Sequence, residues 1–349
     1  MADCKALAAK VKAGQMKNPP KNCVAIEPIL TPMVDWPENC AATVSYTTPW
    51  IAVDRRNGCN HTAFFIIVIN LVNGEELGRS VIHTAMKMIA STTGPSWSIP
   101  VDVRVASSTA PIGRPTTTTG VFFVCPTNCV ASNLSYGAVT TSYWKGSLTL
   151  SAKEMIAGSW RDHVGGYWRI TFNNPEWVAT TSSDLTTGDS RCDNAYTATK
   201  PGCVLPTVPA TMTFSRSTNP EFANHVERAL LSGLPGQAGS TTYLHRLYDA
   251  ALSRKNGDTA CPASLPRPSG KQCDEYPFRS TNEGAYTGGD STPRSWDGCE
   301  MPDPPRTGPT GFSRCFINEK QNGSAGGLLG GFYLQQRMLT SDPFQVAFS

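Results

Sequence analysis

The sequence predicts an α+β protein in which a strand-rich N-terminal half precedes a smaller mixed half. Runs rich in Val, Ile, Thr and aromatic residues, separated by turn residues, follow one another between residues 41 and 172. Helix-like patterns occur near the start of the chain and again after residue 219. With 349 residues the chain is long enough for two domains, and a stretch crowded with Pro and Thr at 201–218 marks their boundary. We therefore predict domains 1–204 and 205–349.

The N-terminal half is expected to form an antiparallel β-sandwich, with two sheets packed face to face, after a short helix at 5–15. It carries no recognisable site motif. Its histidines, His61, His83 and His163, lie far apart in sequence, so a structural or surface role is favoured over catalysis. The predicted strands lie at 42–46, 50–53, 62–72, 80–89, 98–105, 120–124, 145–150 and 166–172.

Twelve cysteines fall in neighbouring pairs, each of which could close a short loop. Zinc-ligand spacing of Cys and His is not seen, so disulfides are favoured over metal thiolates, although sequence alone leaves the connectivity open. Disulfides form in oxidising compartments, which predicts a secreted, extracellular protein. No signal peptide follows Met1, so we expect a mature form. The predicted pairs are Cys4–Cys23, Cys40–Cys59, Cys125–Cys129, Cys192–Cys203, Cys261–Cys273 and Cys299–Cys315.

The C-terminal half is predicted to contain three helices and two short strands. Asn219, Pro220 and Glu221 provide a cap, a first-turn proline and an early acid for the first helix. The third helix is expected to open on a Gly-rich turn, and 285–309 is expected to be a long loop. The helices are placed at 220–232, 243–255 and 321–337, and the strands at 313–317 and 344–348.

Three carboxylates, Asp274, Glu275 and Glu283, fall within ten residues of this half. They are hard oxygen ligands suited to Mg²⁺ or Mn²⁺, with Ca²⁺ as an alternative. One of them could instead act as a general base on water, and the two roles together suit metal-assisted hydrolysis of a phosphodiester. On spacing alone, three solvated acids on a loop are the favoured interpretation.

The segment from Cys273 to Gly284 resembles the Asp-Glu-(Tyr or Trp)-Pro…Glu-Gly signature of the secreted NucA/NucB-type deoxyribonucleases. The segment 225–230, beginning at His225, resembles the His-Ile-x-x-Ala segment of the same family. The resemblance covers roughly residues 190–349, and the N-terminal half matches only weakly. The downstream residues that also fit are Asn322, Gly326, Gly327, Leu329, Phe332, Tyr333, Arg337, Leu339, Asp342, Pro343 and Phe344.

The resemblance implies a metal-dependent, non-specific endonuclease with a small core similar to that of ββα-metal nucleases. Asp274 then matches the position of the general base, and Asn322 matches the polar residue that opens the metal-side helix. Glu275 and Glu283 match the accompanying acids. Gln321 stands where the family commonly has an acid, which lowers the negative charge of the site, although its carbonyl could still bind a metal.

Further candidate residues follow from the same resemblance. Glu319 could substitute for the missing acid. His225 has two interpretations, a structural helical histidine or a residue that positions phosphate or replaces the base. Arg246, Arg254 and Arg279 are candidate phosphate contacts, although a solvated surface arginine is the favoured interpretation of each.

The net charge of +3 does not indicate a nucleic-acid-binding protein, because basic and acidic residues are equally numerous in 204–349. DNA is the expected substrate, with RNA as an alternative, and a monomer without membrane contact is expected. Two rival functions remain open. The first is an extracellular module that binds a glycan or a protein and carries an inactive nuclease-like domain, and the second is a structural calcium site.

Overall fold

A computed structural model describes residues 2–29, 50–91, 94–124, 129–132, 143–152, 162–163, 166–196 and 201–349. Contacts divide the chain into two compact units, Met1–Leu205 and Pro206–Ser349. Both units mix helix and strand, which confirms the α+β class. Independent folding of the two domains stays a prediction.

The N-terminal unit consists mainly of antiparallel strands. A helix α1 (Ala2–Lys12) comes first, slightly earlier than predicted. A short 3-10 turn, Pro111–Gly113, precedes the seventh strand. The strands are β1 (Asn22–Pro28), β2 (Trp50–Ala52), β3 (Asn57–Asn70), β4 (Glu76–Ala90), β5 (Ser96–Ser98), β6 (Val101–Ser108), β7 (Thr117–Val124), β8 (Cys129–Ser132), β9 (Tyr143–Gly146), β10 (Thr149–Ala152), β11 (Asp162–His163), β12 (Gly166–Asn173), β13 (Thr181–Thr186), β14 (Arg191–Asp193) and β15 (Gly202–Val204).

Nine of these strands form one large sheet built around the long hairpin of β3 and β4. Separate three-stranded sheets have the orders β13-β12-β7 and β11-β14-β15. The edge of the Phe172 ring in β12 contacts Phe64 in β3, with 5.8 Å between ring centres. The sheet containing β12 therefore lies against the large sheet. The predicted sandwich of two regular layers stays a prediction. The predicted strand at 42–46 lies outside the described residues.

The core of this unit comes from the apolar run in β3. Ile66, Ile67 and Val68 are buried together with Phe172 and Trp168 on β12. Because successive side chains of a strand point to opposite faces, a continuous apolar run indicates a strand covered on both faces. The disulfides Cys4–Cys23 and Cys192–Cys203 form as predicted. The pairs predicted for Cys40 and Cys125 involve residues outside the described ranges.

The C-terminal unit contains two small sheets and three helices. Its elements are β16 (Ala210–Phe214), α2 (Pro220–Leu231), β17 (Leu244–His245), α3 (Ala250–Ala260), β18 (Lys271–Tyr276), β19 (Pro293–Arg294), β20 (Phe312–Asn318), α4 (Glu319–Gln335) and β21 (Pro343–Phe348). One sheet has the order β16-β21-β17, and the other has the order β18-β20-β19. Strands β18 and β20 are antiparallel, and α4 begins directly after β20. Helix α2 confirms the helix predicted at 220–232.

The predicted helix at 243–255 is wrong in its position. Residues Leu244 and His245 form strand β17 against β21, and helix α3 begins only after Asp249. The Asp249 side chain accepts hydrogen bonds from the backbone N–H groups of Ala251 and Leu252, which makes it the N-cap. The helix also continues past Gly257, where a helix end was predicted, because tertiary contacts outweigh the low helix propensity of glycine.

The Gly-rich segment after residue 321 is helical and forms no turn. Helix α4 is capped by Asn318, whose side chain accepts hydrogen bonds from the N–H groups of Lys320 and Gln321. Gly326 and Gly330 lie inside the helix, and a Cβ atom at either position would meet no other atom within 4 Å. The helix is held by its buried residues, Ala325, Leu329, Phe332 and Tyr333.

An aromatic cluster joins α2 to the strands of this unit. The Phe222 ring on α2 lies 4.7 Å from Phe214 on β16 and 6.3 Å from Phe278, measured between ring centres. Tyr276, fully buried at the end of β18, contacts the same Phe278 ring edge-on. The cluster fixes α2 beside the end of β18, which is the position of the predicted acidic motif.

Candidate active site

The acidic motif lies on a strand, which corrects the expectation of a loop. Asp274 and Glu275 belong to β18 and pair with Cys315 and Arg314 of β20. The disulfide Cys261–Cys273 ties the strand to the end of α3, and Cys299–Cys315 ties down the partner strand. Backbone pairing and two crosslinks therefore hold both carboxylates in a fixed frame.

Both carboxylates lie in a cleft of about 900 Å³. Residues of α3, β18 and α4 line it, together with the segments after β17 and β18. Gly326 and Gly330 of α4 line the cleft beside the side chains of Asn322, Ala325, Leu329 and Tyr333. The predicted site residues that the structure brings together here are Asp274, Glu275, Asn322, Arg246, Arg254 and Arg279.

Asp274 is held from behind by His225. The His225 side chain on α2 is fully buried, and its Nδ1 lies 2.6 Å from Asp274 Oδ2. Its Nε2 lies 3.0 Å from the hydroxyl of Ser313 on β20. Since both ring nitrogens are engaged inside the protein, His225 does not reach the surface of the cleft.

Glu275 sits beside Asp274 in an environment that disfavours its charge. Its side chain keeps part of its surface open, yet the pKa of its carboxyl is raised to about 8. Desolvation is the larger cause of this rise, the negative charge of Asp274 adds to it, and Arg279 opposes it. Oε2 of Glu275 also lies 3.8 Å from the sulfur of Cys261. A bound cation would favour the ionised form.

Asn322 lies in the first turn of α4, opposite β18. Its Nδ2 donates to Gln272 Oε1 at 3.3 Å and approaches the carbonyl oxygen of Cys273 at 3.5 Å. These contacts orient the amide and leave its Oδ1 as the acceptor. Among the described residues no group of three or more His, Cys, Asp and Glu side chains is placed to hold a metal ion.

Gln321 and Glu319 do not join this cluster. Gln321 Oε1 accepts a hydrogen bond of 2.8 Å from the backbone N–H of Glu221, and Glu221 Oε2 accepts one of 2.8 Å from the N–H of Asn318. These reciprocal bonds link the N-termini of α2 and α4. Glu319 is exposed in the first turn of α4.

Glu283 also lies outside the cleft. Its Oε1 is 2.7 Å from His245 Nδ1, and its Oε2 accepts a hydrogen bond of 2.9 Å from the His245 backbone N–H. Glu283 thus holds strand β17 next to Arg246. It is not one of the residues that line the cleft with Asp274 and Glu275.

The arginines of the cleft differ in how firmly they are held. Arg246 donates from Nη1 to the carbonyl oxygens of Leu247 and Ser280, and its guanidinium lies 4.1 Å from the centre of the Tyr333 ring. Arg254 and Arg279 line the same cleft from α3 and from the segment after β18. The arrangement places three positive groups around two acids.

The sequence did not predict the residues that hold the cleft segments and His225 in place. Asn256 on α3 is fully buried, and its Nδ2 donates to the carbonyl oxygens of Arg279 and Thr281. Its Oδ1 accepts hydrogen bonds from the N–H groups of Tyr286 and Thr287. Ser313, the partner of His225, was missed as well. The pair Asn256-Gly257 resembles a helix end in sequence, and only the fold reveals its partners.

Carboxylates under a rim of arginines are typical of a protein that acts on a polymer of phosphates. Residues 240–347 match the family model described as Deoxyribonuclease NucA/NucB, so this part of the chain is a domain of that family and indicates a deoxyribonuclease. The match confirms the resemblance for the C-terminal domain, and His225 lies before its first residue. No curated protein and no solved structure matches the chain.

Proposed function

We propose that the C-terminal unit is a metal-dependent endonuclease that hydrolyses DNA with little sequence preference. The observation that carries the proposal is the placement of Asp274 in the arginine-lined cleft, with one carboxylate oxygen bonded to buried His225. The family match to residues 240–347 supports DNA as the substrate.

Asp274 is proposed to accept the proton of the attacking water. The hydrogen bond to His225 occupies Oδ2, which leaves Oδ1 for the cleft. An oriented carboxylate loses less conformational freedom when it meets its water than a mobile one does. In this proposal His225 is a positioning residue, because its ring cannot touch a phosphate while both nitrogens are engaged.

The donor set of the cleft fits a small divalent cation that keeps several of its waters. Mg²⁺ is usually held by one or two carboxylates together with substrate phosphates, so a large cluster of acids is not required. Glu275 and the Oδ1 of Asn322 would hold it, with Asp274 close by. When bound, such a cation neutralises charge that builds on the phosphate and lowers the pKa of water.

The arginines are proposed to bind the DNA backbone. Arg246 is fixed by its own hydrogen bonds and by Tyr333, so it can present a phosphate contact without further ordering. Contacts of this kind set the register of a nucleic acid without reading its sequence. Low sequence preference follows from a cleft dominated by Arg246, Arg254 and Arg279.

The remaining predicted site residues receive supporting roles in this proposal. Glu283 holds β17 through His245, and Gln321 links α4 to α2 through Glu221. Both act on the position of the cleft walls. The ββα-type core predicted from the resemblance is supported by the antiparallel β18 and β20 followed directly by α4.

Secretion is proposed from the crosslinks. The four described disulfides suit an oxidising compartment outside the cell. In the part of the chain that the structure describes, no helix combines the length and apolar character needed to span a membrane.

Cleavage of supercoiled plasmid in Mg²⁺ or Mn²⁺, with EDTA as the control, tests the proposal. Asp274→Asn keeps the shape of the side chain and removes the basic oxygen, so we expect a loss of about 10²–10⁴-fold in rate. Asn322→Ala is expected to show a defect that higher Mn²⁺ concentrations partly restore. Near-normal cleavage by Asp274→Asn would refute the central assignment.

A second function is favoured by one surface of the N-terminal unit. The rings of Phe123 and Tyr167 are stacked with centres 4.9 Å apart, and the Arg169 guanidinium lies 5.4 Å from the centre of Phe123. Phe123 is 40% exposed. An exposed aromatic pair beside the Arg169–Asp184 ion pair suits a glycan, whose apolar ring faces pack on aromatic rings. Binding to a polysaccharide panel that Phe123→Ala abolishes would support this function.

A further inference from the structure

A second cavity of about 590 Å³ lies in the C-terminal unit, outside the cleft. Arg228 and Leu231 on α2 form one side, and Trp296, Pro305 and Arg306 form the other. It shares no lining residue with the cleft that contains Asp274.

The cavity contains a guanidinium group whose hydrogen-bonding capacity is incompletely used. Arg306 Nη1 is buried and has no hydrogen-bond partner within the described part of the chain. Its ion-pair partner, Asp290 Oδ2, is 3.7 Å away, beyond hydrogen-bond distance. Nη1 itself is covered by the protein, whereas the Arg306 side chain is 39% exposed and lines the cavity, so an anion in the cavity would meet the exposed part of this side chain.

Two further guanidinium groups add to the positive charge. Arg228 Nη1 donates to the carbonyl oxygen of Asp297 at 2.9 Å, which fixes the group at the rim. Arg294 is fully buried below, where it donates to Ser232 and Gly308. Burial and the charge of Arg306 lower the pKa of Arg294, which indicates that the two cations are close enough to repel each other.

The apolar part of the cavity consists of Trp296, Leu231 and Pro305, beside the hydroxyl residues Ser232 and Thr307. The Arg228 guanidinium lies 5.8 Å from the centre of the Trp296 ring, and that ring is only half-buried. Leu231 is 82% exposed at the rim. A flat aromatic surface beside guanidinium groups suits a ligand that has both a phosphate and a planar ring. Base stacking on an aromatic side chain contributes about 1–3 kcal/mol per base.

We propose that this cavity binds one nucleotide of a DNA strand, with its phosphate on Arg306 and Arg228 and its base on Trp296. The proposal rests on the proposed nuclease function, because it assigns a second contact to the same substrate. The Trp296 ring centre lies 6.2 Å from that of His225, so the bound nucleotide would lie behind the residue that positions Asp274.

Binding can be measured without catalysis, by calorimetry on the full chain in EDTA. The probes are thymidine 5′-monophosphate, thymidine and inorganic phosphate. We expect the monophosphate to bind at least about tenfold more tightly than either part, because only it engages both the guanidinium groups and the ring. Arg306→Gln and Trp296→Leu are each expected to weaken this binding about tenfold.

Three further variants distinguish binding in this cavity from binding elsewhere on the chain. Leu231→Asp places a negative charge at an exposed position of the rim, where it cannot disturb the core, and is expected to weaken binding about tenfold. Arg279→Gln removes a phosphate-binding arginine of the cleft and reports any binding there, whereas Arg216→Gln, which lies outside both cavities, is expected to leave binding unchanged. Circular dichroism checks that each variant is folded.

Several outcomes would overturn the proposal. Equal affinity for phosphate and for the monophosphate would identify a simple anion site. Loss of binding in Arg279→Gln but not in Arg306→Gln would place the nucleotide in the cleft. DNA cleavage without any binding of the monophosphate would refute the cavity and leave the nuclease intact. Binding without cleavage would refute the nuclease and leave nucleotide binding intact.

Discussion

At the scale of single residues, the hydrogen bond from His225 determines which oxygen of Asp274 the cleft can use. The bond is short and fully buried, and Ser313 holds the other side of the ring. A histidine in this position contributes through the orientation of its neighbour, as do the groups that orient metal ligands in other sites.

The variants His225→Leu and His225→Asn test this role. Leu removes every hydrogen bond to Asp274, so we expect kcat to fall by about 10–100-fold with little change in KM. Asn still offers an N–H donor to Asp274 and is expected to recover part of the loss. The measurement is the rate of plasmid cleavage against DNA and Mn²⁺ concentration, with melting temperatures determined alongside.

A second histidine–carboxylate pair provides the control. His245 contacts Glu283 at a similar distance, but its side chain is 41% exposed and does not line the cleft. His245→Gln is expected to lower the rate much less than His225→Leu. Equal losses in both variants would mean that any disturbance of the unit lowers activity, and would contradict the specific role of His225.

At the scale of secondary-structure elements, helix α4 presents two glycines to the cleft. Gly326 and Gly330 line it, and neither would meet a neighbour if it carried a methyl group. Alanine at either position should therefore stabilise the helix by about 0.5–1 kcal/mol, because glycine loses more backbone entropy on folding.

The same substitutions should lower nuclease activity. Methyl groups on this wall would hold the DNA backbone away from Asp274, and a displacement of about 1 Å can cost a factor of about 100 in rate. We expect kcat/KM to fall at least about tenfold in Gly326→Ala while the melting temperature rises. Gly327→Ala is the matched control, since Gly327 lies on the same helix but outside the cleft. Unchanged activity in Gly326→Ala would show that DNA does not approach this wall.

The hairpin of β3 and β4 carries a buried pair of histidines. Burial and, as the smaller cause, the nearby His83 together lower the pKa of His61 to about 4. Unfolded His61 binds a proton near pH 6.5 whereas folded His61 does not, so stability is retained above that pH and falls as the pH decreases towards 4. The loss from this residue is expected to be at most about 3 kcal/mol.

Urea unfolding between pH 7 and pH 4 measures this loss. Tryptophan fluorescence reports on the N-terminal unit, because every tryptophan except Trp296 lies in Met1–Leu205. His61→Gln should reduce the dependence of the unfolding free energy on pH. If the unfolding free energy of His61→Gln depended on pH as steeply as that of the unmodified chain, other groups would be the cause of the acid sensitivity.

The elements also show how much the sequence could predict. Helix α2 and strand β20 were predictable because the first-turn Pro220 and Glu221 of the helix and the apolar residues of both elements act locally. The predicted cap residue Asn219 precedes the helix, but its side chain makes no capping hydrogen bond. Strand β18 was not, because Cys-Asp-Glu has little strand propensity and only its pairing with β20 makes it a strand. The sequence also showed that Asp274 belongs to a recognisable acidic motif. Its bond to His225 joins residues 49 positions apart, and no local pattern encodes it.

At the scale of the whole molecule, the C-terminal unit contains all the residues of its proposed site. The six predicted residues of the cleft, the disulfides Cys261–Cys273 and Cys299–Cys315, and His225 all lie in Pro206–Ser349. We therefore expect a fragment of residues 206–349 to fold alone and to cleave DNA within about tenfold of the rate of the full chain.

Expression of this fragment in an oxidising compartment, followed by circular dichroism and plasmid cleavage, provides the measurement. The same fragment with Asp274→Asn controls for contaminating nuclease. A fragment that is folded but inactive would show that residues 1–205 contribute to the site, and the domain assignment would then need revision.

The described disulfides all connect positions 11 to 19 residues apart. One consequence concerns proteolysis. The segment between Cys261 and Cys273 is largely exposed, and a protease that cut the backbone there would leave both new ends joined through sulfur. Asp274 would stay attached to α3 in a nicked molecule, so a cut at this turn would be visible only after reduction.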